Sequence, residues 1–212
     1  MNLKWWHWSG LAATTALLGA GAVYAAGRRS DAAGVTVAQL RTIMPGLSAE
    51  RAAELLPYLL AALAAHQVST PRRRAAFLAQ LGFESGSLRY FEEKASGEAY
   101  EGRESLGNTQ PGDGVRYKGR GPIQLTGRAN YRAAGKALSL DLEGTPSLAA
   151  LPHVGFRVAG WFWESRGLNA LADVGTAEAF REITRRINGG FNGLAERESY
   201  WARAKAALGG VA

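Results

Sequence analysis

The sequence predicts a mainly α domain, and three observations carry that reading. Apolar residues recur at three- and four-residue spacing, as in Ala52, Leu55, Leu56, Leu59, Leu60 and Leu63. Helix-start signals stand ahead of such runs at Thr36, Ser48 and Thr70-Pro71. The one candidate for strand is a small hairpin over Tyr117 to Leu125. The length of 212 residues suits one domain with a sizeable core.

The chain opens on a targeting segment. Ser9 to Gly27 carries no charge and is mostly Ala, Gly, Leu and Thr. Lys4 and the tryptophans Trp5, Trp6 and Trp8 precede it, and Arg28 and Arg29 follow. This fits an export signal over residues 1–27, with Val23 and Ala25 as the small residues of a cleavage site. The stretch also has about the minimum length for an uncleaved anchor, with tryptophans suited to the interface. The two arginines after it oppose a simple N-in orientation. Cleaved signal and releasable anchor both stay open, and both send the protein to the periplasm or cell wall. Residues 28–34 read as a linker, and 35–212 as the folded domain.

Thr36 caps a helix that runs to about Met44 and stops at Pro45-Gly46. Ser48 caps the next, in which Pro57 predicts a kink or break. Thr70-Pro71 starts a helix that buries Phe77, Leu78 and Leu81 and ends near Glu84. Residues 96–122 are rich in Gly, Asn, Asp and Pro, too long a stretch for an idle loop. Helical patterns return over about 126–138, 153–166, 175–188 and 193–208.

Composition narrows the function classes. The hydrophobic share of 47% and charged share of 20% argue against disorder. Cysteine is absent, which excludes disulfides, a thiol nucleophile and thiolate metal sites. His7, His66 and His153 are too scattered to suggest a metal site. The net charge of +7 attracts a polyanion: nucleic acid, membrane surface or anionic cell wall. No zinc-finger, basic-zipper or RNP-like pattern supports nucleic acid.

Three segments carry chemistry. In Phe83-Glu84-Ser85-Gly86 a carboxylate ends an apolar helix, where partial burial raises its pKa and suits a general acid. In Tyr100-Glu101-Gly102-Arg103 a glutamate sits on a polar segment where it stays ionised and can position water. Glu92, Glu93, Glu98 and Glu104 are its rivals. In Lys118-Gly119-Arg120-Gly121-Pro122-Ile123-Gln124-Leu125-Thr126, followed by Asn130, glycines admit a close ligand and neutral side chains suit a sugar.

The run Gly119 to Thr126 closely resembles the signature of family 19 glycoside hydrolases, the group of plant-type chitinases and many phage endolysins. Phe77 to Gly86, Trp161-Phe162-Trp163 and Ile187-Asn188-Gly189-Gly190 are similar to further family segments, in the family's order. The resemblance implies a lysozyme-like, two-lobed α-helical domain with a catalytic cleft. It implies Glu84 as general acid and Glu101 as the water-activating base, with Glu93 as the live rival. Gln124, Thr126, Asn130 and Asn188 fall at substrate-cleft positions. Arg197 falls where the family's arginine holds the carboxylate network. Phe83 replaces the family's frequent His, and the stretch from Glu84 to Glu101 is shorter than in plant chitinases.

The activity so implied is single-displacement hydrolysis of β-1,4 bonds between amino sugars, without metal or cofactor. Inversion requires carboxyl groups about 6.5–9.5 Å apart. The weak N-terminal hydrophobic segment resembles the signal-anchor-release segments of some phage endolysins. Peptidoglycan glycan strands are therefore the expected partner, with transient inner-membrane association through residues 1–27 and host cell lysis as the role. Chitin is the alternative substrate, and a non-catalytic wall-binding module the alternative class.

Overall fold

The computed structural model describes residues 34–209, so the expected signal or anchor and nearly all of the linker lie outside the described residues. Nine α-helices follow one another among the described residues: α1 (Val37–Ile43), α2 (Ala49–Ala65), α3 (Pro71–Glu84), α4 (Asp113–Arg116), α5 (Arg128–Leu138), α6 (Pro152–Ser165), α7 (Leu168–Val174), α8 (Ala177–Asn188) and α9 (Leu194–Leu208). The expected mainly α class holds.

The helix starts form as their residues dictate. Thr36 and Gln39 make a reciprocal capping box on α1. Ser48, Thr70 and Thr176 each accept a bond from the amide three residues on, and Pro71 opens α3. Pro57 does not end α2, contrary to expectation. Both Pro57 and Ala53, whose carbonyl lacks its usual donor, are exposed, so water can serve that carbonyl. The helix expected over about 175–188 forms as α8, and the stretch left between it and the 153–166 helix holds one more short helix, α7, bracketed by Gly167 and Gly175, both at positive φ. The expected hairpin shrinks to isolated bridges, Glu92 with Arg120 and Arg120 with Leu125.

Helix α3 is the axis of the core. Every residue from Ala75 to Gly82 is buried, as for a helix wrapped on all sides. Its principal neighbour is α9, and it also meets α1 and α7. Phe77 meets Trp163 edge to face at 5.2 Å between centroids. Trp163 is thus a core residue, and Trp161 packs partly buried against that core. The start of α3 is tied to α7 by a forked Arg73–Asp173 pair at 2.9 and 3.0 Å.

Gly82 lets α9 approach the last turn of α3. A Cβ there would lie 2.7 Å from the Tyr200 ring. The Tyr200 hydroxyl is itself fixed to Ser87 at 2.7 Å, so the ring has little room to yield. Gly82→Ala therefore destabilises by about 1–3 kcal/mol through overpacking, although alanine is the better helix former. A thermal melt reads this as a midpoint lowered by about 2–4 °C per kcal/mol.

Candidate active site

Helix α3 delivers Glu84 at its C-terminal end, and α9 brings Arg197 to meet it. Arg197 Nη2 donates to Glu84 Oε1 at 2.6 Å. The arginine is almost fully buried and its other nitrogens are also engaged. Nη1 donates to Gln80 Oε1 at 2.5 Å, and Nε to the Asn192 carbonyl at 3.2 Å. Gln80 in turn donates to Thr184 on α8 at 2.9 Å. The Phe83 ring lies 4.1 Å from the guanidinium carbon, so the family's frequent histidine is replaced here by a cation–π contact.

Glu84 thus meets opposing influences. Burial disfavours its charged form, while Arg197 favours it, and burial prevails so that its pKa is raised. The negative end of the α3 dipole adds to the same direction. The side chain is still 17% exposed and lines a cavity of about 540 Å³. A carboxyl group whose pKa is raised and that meets open solvent is placed to act as a proton donor.

Glu93 lines the same cavity. Its strand-like segment pairs with the glycine-rich run: Glu93 N donates to the Gly119 carbonyl and Gly121 N to the Phe91 carbonyl, both at 2.9 Å. The Glu93 carboxylate accepts from the Tyr100 hydroxyl at 2.9 Å and from Gly119 N at 3.0 Å. Burial first, then the bond to Glu93, push the Tyr100 hydroxyl up to about 12, and the charge of Glu84 adds to it. Tyr100 therefore senses both carboxylates. Gly119 leaves room for both side chains: a Cβ there would meet Gln124 Oε1 at 2.7 Å and Glu93 Oε2 at 3.2 Å, and these ends would have to shift within the cleft.

Glu101 does not join them. Its Oε1 accepts from Gly112 N and its Oε2 from Gly114 N, each at 2.7 Å. That bidentate grip pins the turn after Tyr100 to the start of α4, away from the residues that line the cleft. Of the two expected candidates for the second carboxylate, Glu93 lines the cavity with Glu84 and Glu101 does not. Glu92 points to the other side of its segment and pairs with Lys118 and Arg120.

Gln124, Thr126, Asn130 and Asn188 all line the cavity. Gln124 has φ +53, a left-handed conformation that a non-glycine residue holds only under constraint. Its amide donates to the Gly121 carbonyl at 2.9 Å. Thr126 and Asn130 are anchored by local bonds to Gln124 and Thr126 carbonyls at 2.9 and 2.8 Å. Sequence reasoning did not single out Tyr100, Arg103, Arg166 or Asn192, which also line the cleft. A larger hollow of about 790 Å³ lies beside Arg128 and Glu143. Asp113, Arg128 and Glu143 in its lining are ion-paired, with Glu143 held at about 2 by Arg132 and Arg128, while Arg116 donates to the Glu143 and Gly144 carbonyls and Asp141 accepts from Gly144 N.

The profile of family 19 glycoside hydrolases, described as chitinase class I, matches residues 51–173, and the chain belongs to that family. It is 45% identical over 120 residues to an endochitinase of Arabidopsis thaliana, covering 56% of this chain and 40% of that protein. It is 33% identical over 156 residues to a glycosyl hydrolase family 19 domain-containing protein of Haemophilus influenzae, covering 59% and 74%. Among solved structures it is similar to chitinase C from Streptomyces griseus, with TM-score 0.67 and 28% identity, covering 82% and 92% of the two chains. The fold expected from the resemblance is thus the fold observed.

Proposed function

We propose that the protein hydrolyses β-1,4 bonds between the amino sugars of peptidoglycan. The carrying observation is one cleft with two carboxylates in unlike surroundings. Glu84, buried and raised in pKa, protonates the leaving glycosidic oxygen. Glu93, held by Tyr100 and the Gly119 amide, accepts a proton from the attacking water. Water adds to the anomeric carbon as the bond to the leaving oxygen breaks, and each carboxyl group finishes with its proton state reversed. Arg197 positions Glu84, and the neutral amide and hydroxyl groups of the cleft hold the sugar rings.

The net charge of +7 and the apolar N-terminal stretch favour the anionic wall as target, with export or a releasable anchor bringing the enzyme there and cell lysis as the outcome. The name of the Arabidopsis relative favours a second reading, chitin, which has the same kind of backbone.

The test applies the full chain to outer-membrane-permeabilised Gram-negative cells and to N-acetylglucosamine oligomers, with mass spectrometry of the products. Clearing of the cells, with fragments one water heavier than anhydro ends, supports peptidoglycan hydrolysis. Cleavage of the oligomers alone selects chitin. Binding to either without cleavage marks a non-catalytic module.

A further inference from the structure

The charged side chains that line the cleft are not matched in pairs. Glu84 is engaged from behind by Arg197, and Glu93 by Tyr100 and a backbone amide. Arg103 and Arg166 line the same cavity, yet among the described residues neither pairs with a carboxylate. Arg103 lies 5.6 Å from the Tyr100 ring centroid. Arg166 lies 3.3 Å from the Phe162 centroid and donates to Ser165 Oγ at 3.3 Å. Half-burial without a counter-ion is unfavourable for a guanidinium, and the desolvation lowers the Arg166 pKa.

A neutral amino-sugar polymer offers neither cation a counter-charge. Its amides and hydroxyls are served by Gln124, Thr126, Asn130 and Asn188. A carboxylated polymer is different, because it must approach Glu93 and Glu84 without being repelled. Two guanidinium groups on the cleft wall offset that repulsion and offer forked donors to the incoming carboxylate.

We propose that Arg103 and Arg166 are a specificity-determining pair that selects amino-sugar strands bearing carboxylates over neutral chitin. This rests on the glycosidase reading of the cleft and names the substituent it recognises. The carboxylate belongs either to the lactyl ether of the sugar or to the peptide attached there. The two sources share the same chemistry.

The test measures affinity by calorimetry, using the full chain with Glu84→Gln so that strands stay intact. The ligands are peptide-free glycan strands with free lactyl carboxylates, peptide-bearing strands, and the carboxyl-reduced form of each. Native strands of at least one kind bind about tenfold tighter than their reduced counterparts, as charge-assisted hydrogen bonds require. Arg103→Gln and Arg166→Gln each cut that advantage severalfold, Arg166→Lys keeps the charge without the fork and restores only part of it, and added salt weakens it. Which strands show the advantage identifies the source of the carboxylate. Equal affinity for native and reduced strands of both kinds overturns the proposal. So does an advantage unchanged in both glutamine variants, with Arg103→Gln the decisive one because that side chain is exposed and its loss does not threaten folding. An intact advantage in a parent enzyme that cuts no glycan would instead sink the hydrolase reading.

Discussion

Glu93→Gln lowers kcat for glycosidic-bond hydrolysis by about 10²–10⁴-fold, as Glu84→Gln does, whereas Glu101→Gln leaves kcat close to the parent's. The first two substitutions keep size and most hydrogen bonding but remove the group that exchanges a proton. Gly119 N can still donate to the amide oxygen at position 93, and the Tyr100 hydroxyl, which bonds the other carboxylate oxygen in the parent, can accept from the amide nitrogen, so the cleft keeps its shape. Glu101 acts instead on the backbone, through the amides of Gly112 and Gly114. Its glutamine variant loses one charged acceptor at that turn, and a lowered thermal midpoint records the loss. Steady-state kinetics beside melting curves for the three variants separate the roles. Full activity in Glu93→Gln, with activity lost in Glu101→Gln, would return the base to Glu101.

Arg197→Met destabilises the protein by about 3–5 kcal/mol at neutral pH, because removing one member of a buried pair strands the other. Methionine fills much of the volume but leaves Glu84, Gln80 Oε1 and the Asn192 carbonyl without their donor. The loss depends on pH with a definite sign. Burial already raises the folded pKa of Glu84 above its unfolded value, and Arg197 is what opposes this. Without the arginine the pKa rises further. A group raised in this way contributes stability that is fully present below its unfolded pKa and lost as pH rises through the folded one. Urea unfolding at pH 4 and pH 8 should therefore find the variant's deficit smaller at pH 4. The alkaline limb of its residual activity moves to higher pH as well, since the acid keeps its proton longer. A deficit equal at both pH values would mean that Arg197 serves packing and not the charge of Glu84.

Much of the cleft was legible because its determinants are local. The Thr70-Pro71 start and the apolar run after it set α3, and α3 ends at Glu84. Gly119 to Thr126 is one continuous turn-rich run, so Gln124 and Thr126 travel with it. Arg197 and Asn188 were placed by resemblance, and the structure puts Arg197 on Glu84.

The second carboxylate was not legible, for a physical reason. Glu101 is withdrawn by amides eleven and thirteen residues away, and Glu93 is turned inward by pairing with Gly119, twenty-six residues on. No local pattern encodes contacts of that range. The adjacency of Glu92 and Glu93 was a usable signal, since neighbours in an extended segment point to opposite sides. The exposure of Pro57 and the inward aim of Arg103 and Arg166 are likewise properties of the assembled fold.

The proposed mechanism is direct displacement by water between Glu84 and Glu93. Proton NMR of the anomeric region tests it, recorded in the first minutes of hydrolysis before mutarotation mixes the products. Single displacement at a β bond yields the α-anomer first. The β-anomer appearing first would contradict direct displacement, for it would require an intermediate formed by a second carboxylate or by the sugar's own acetamido oxygen acting as nucleophile.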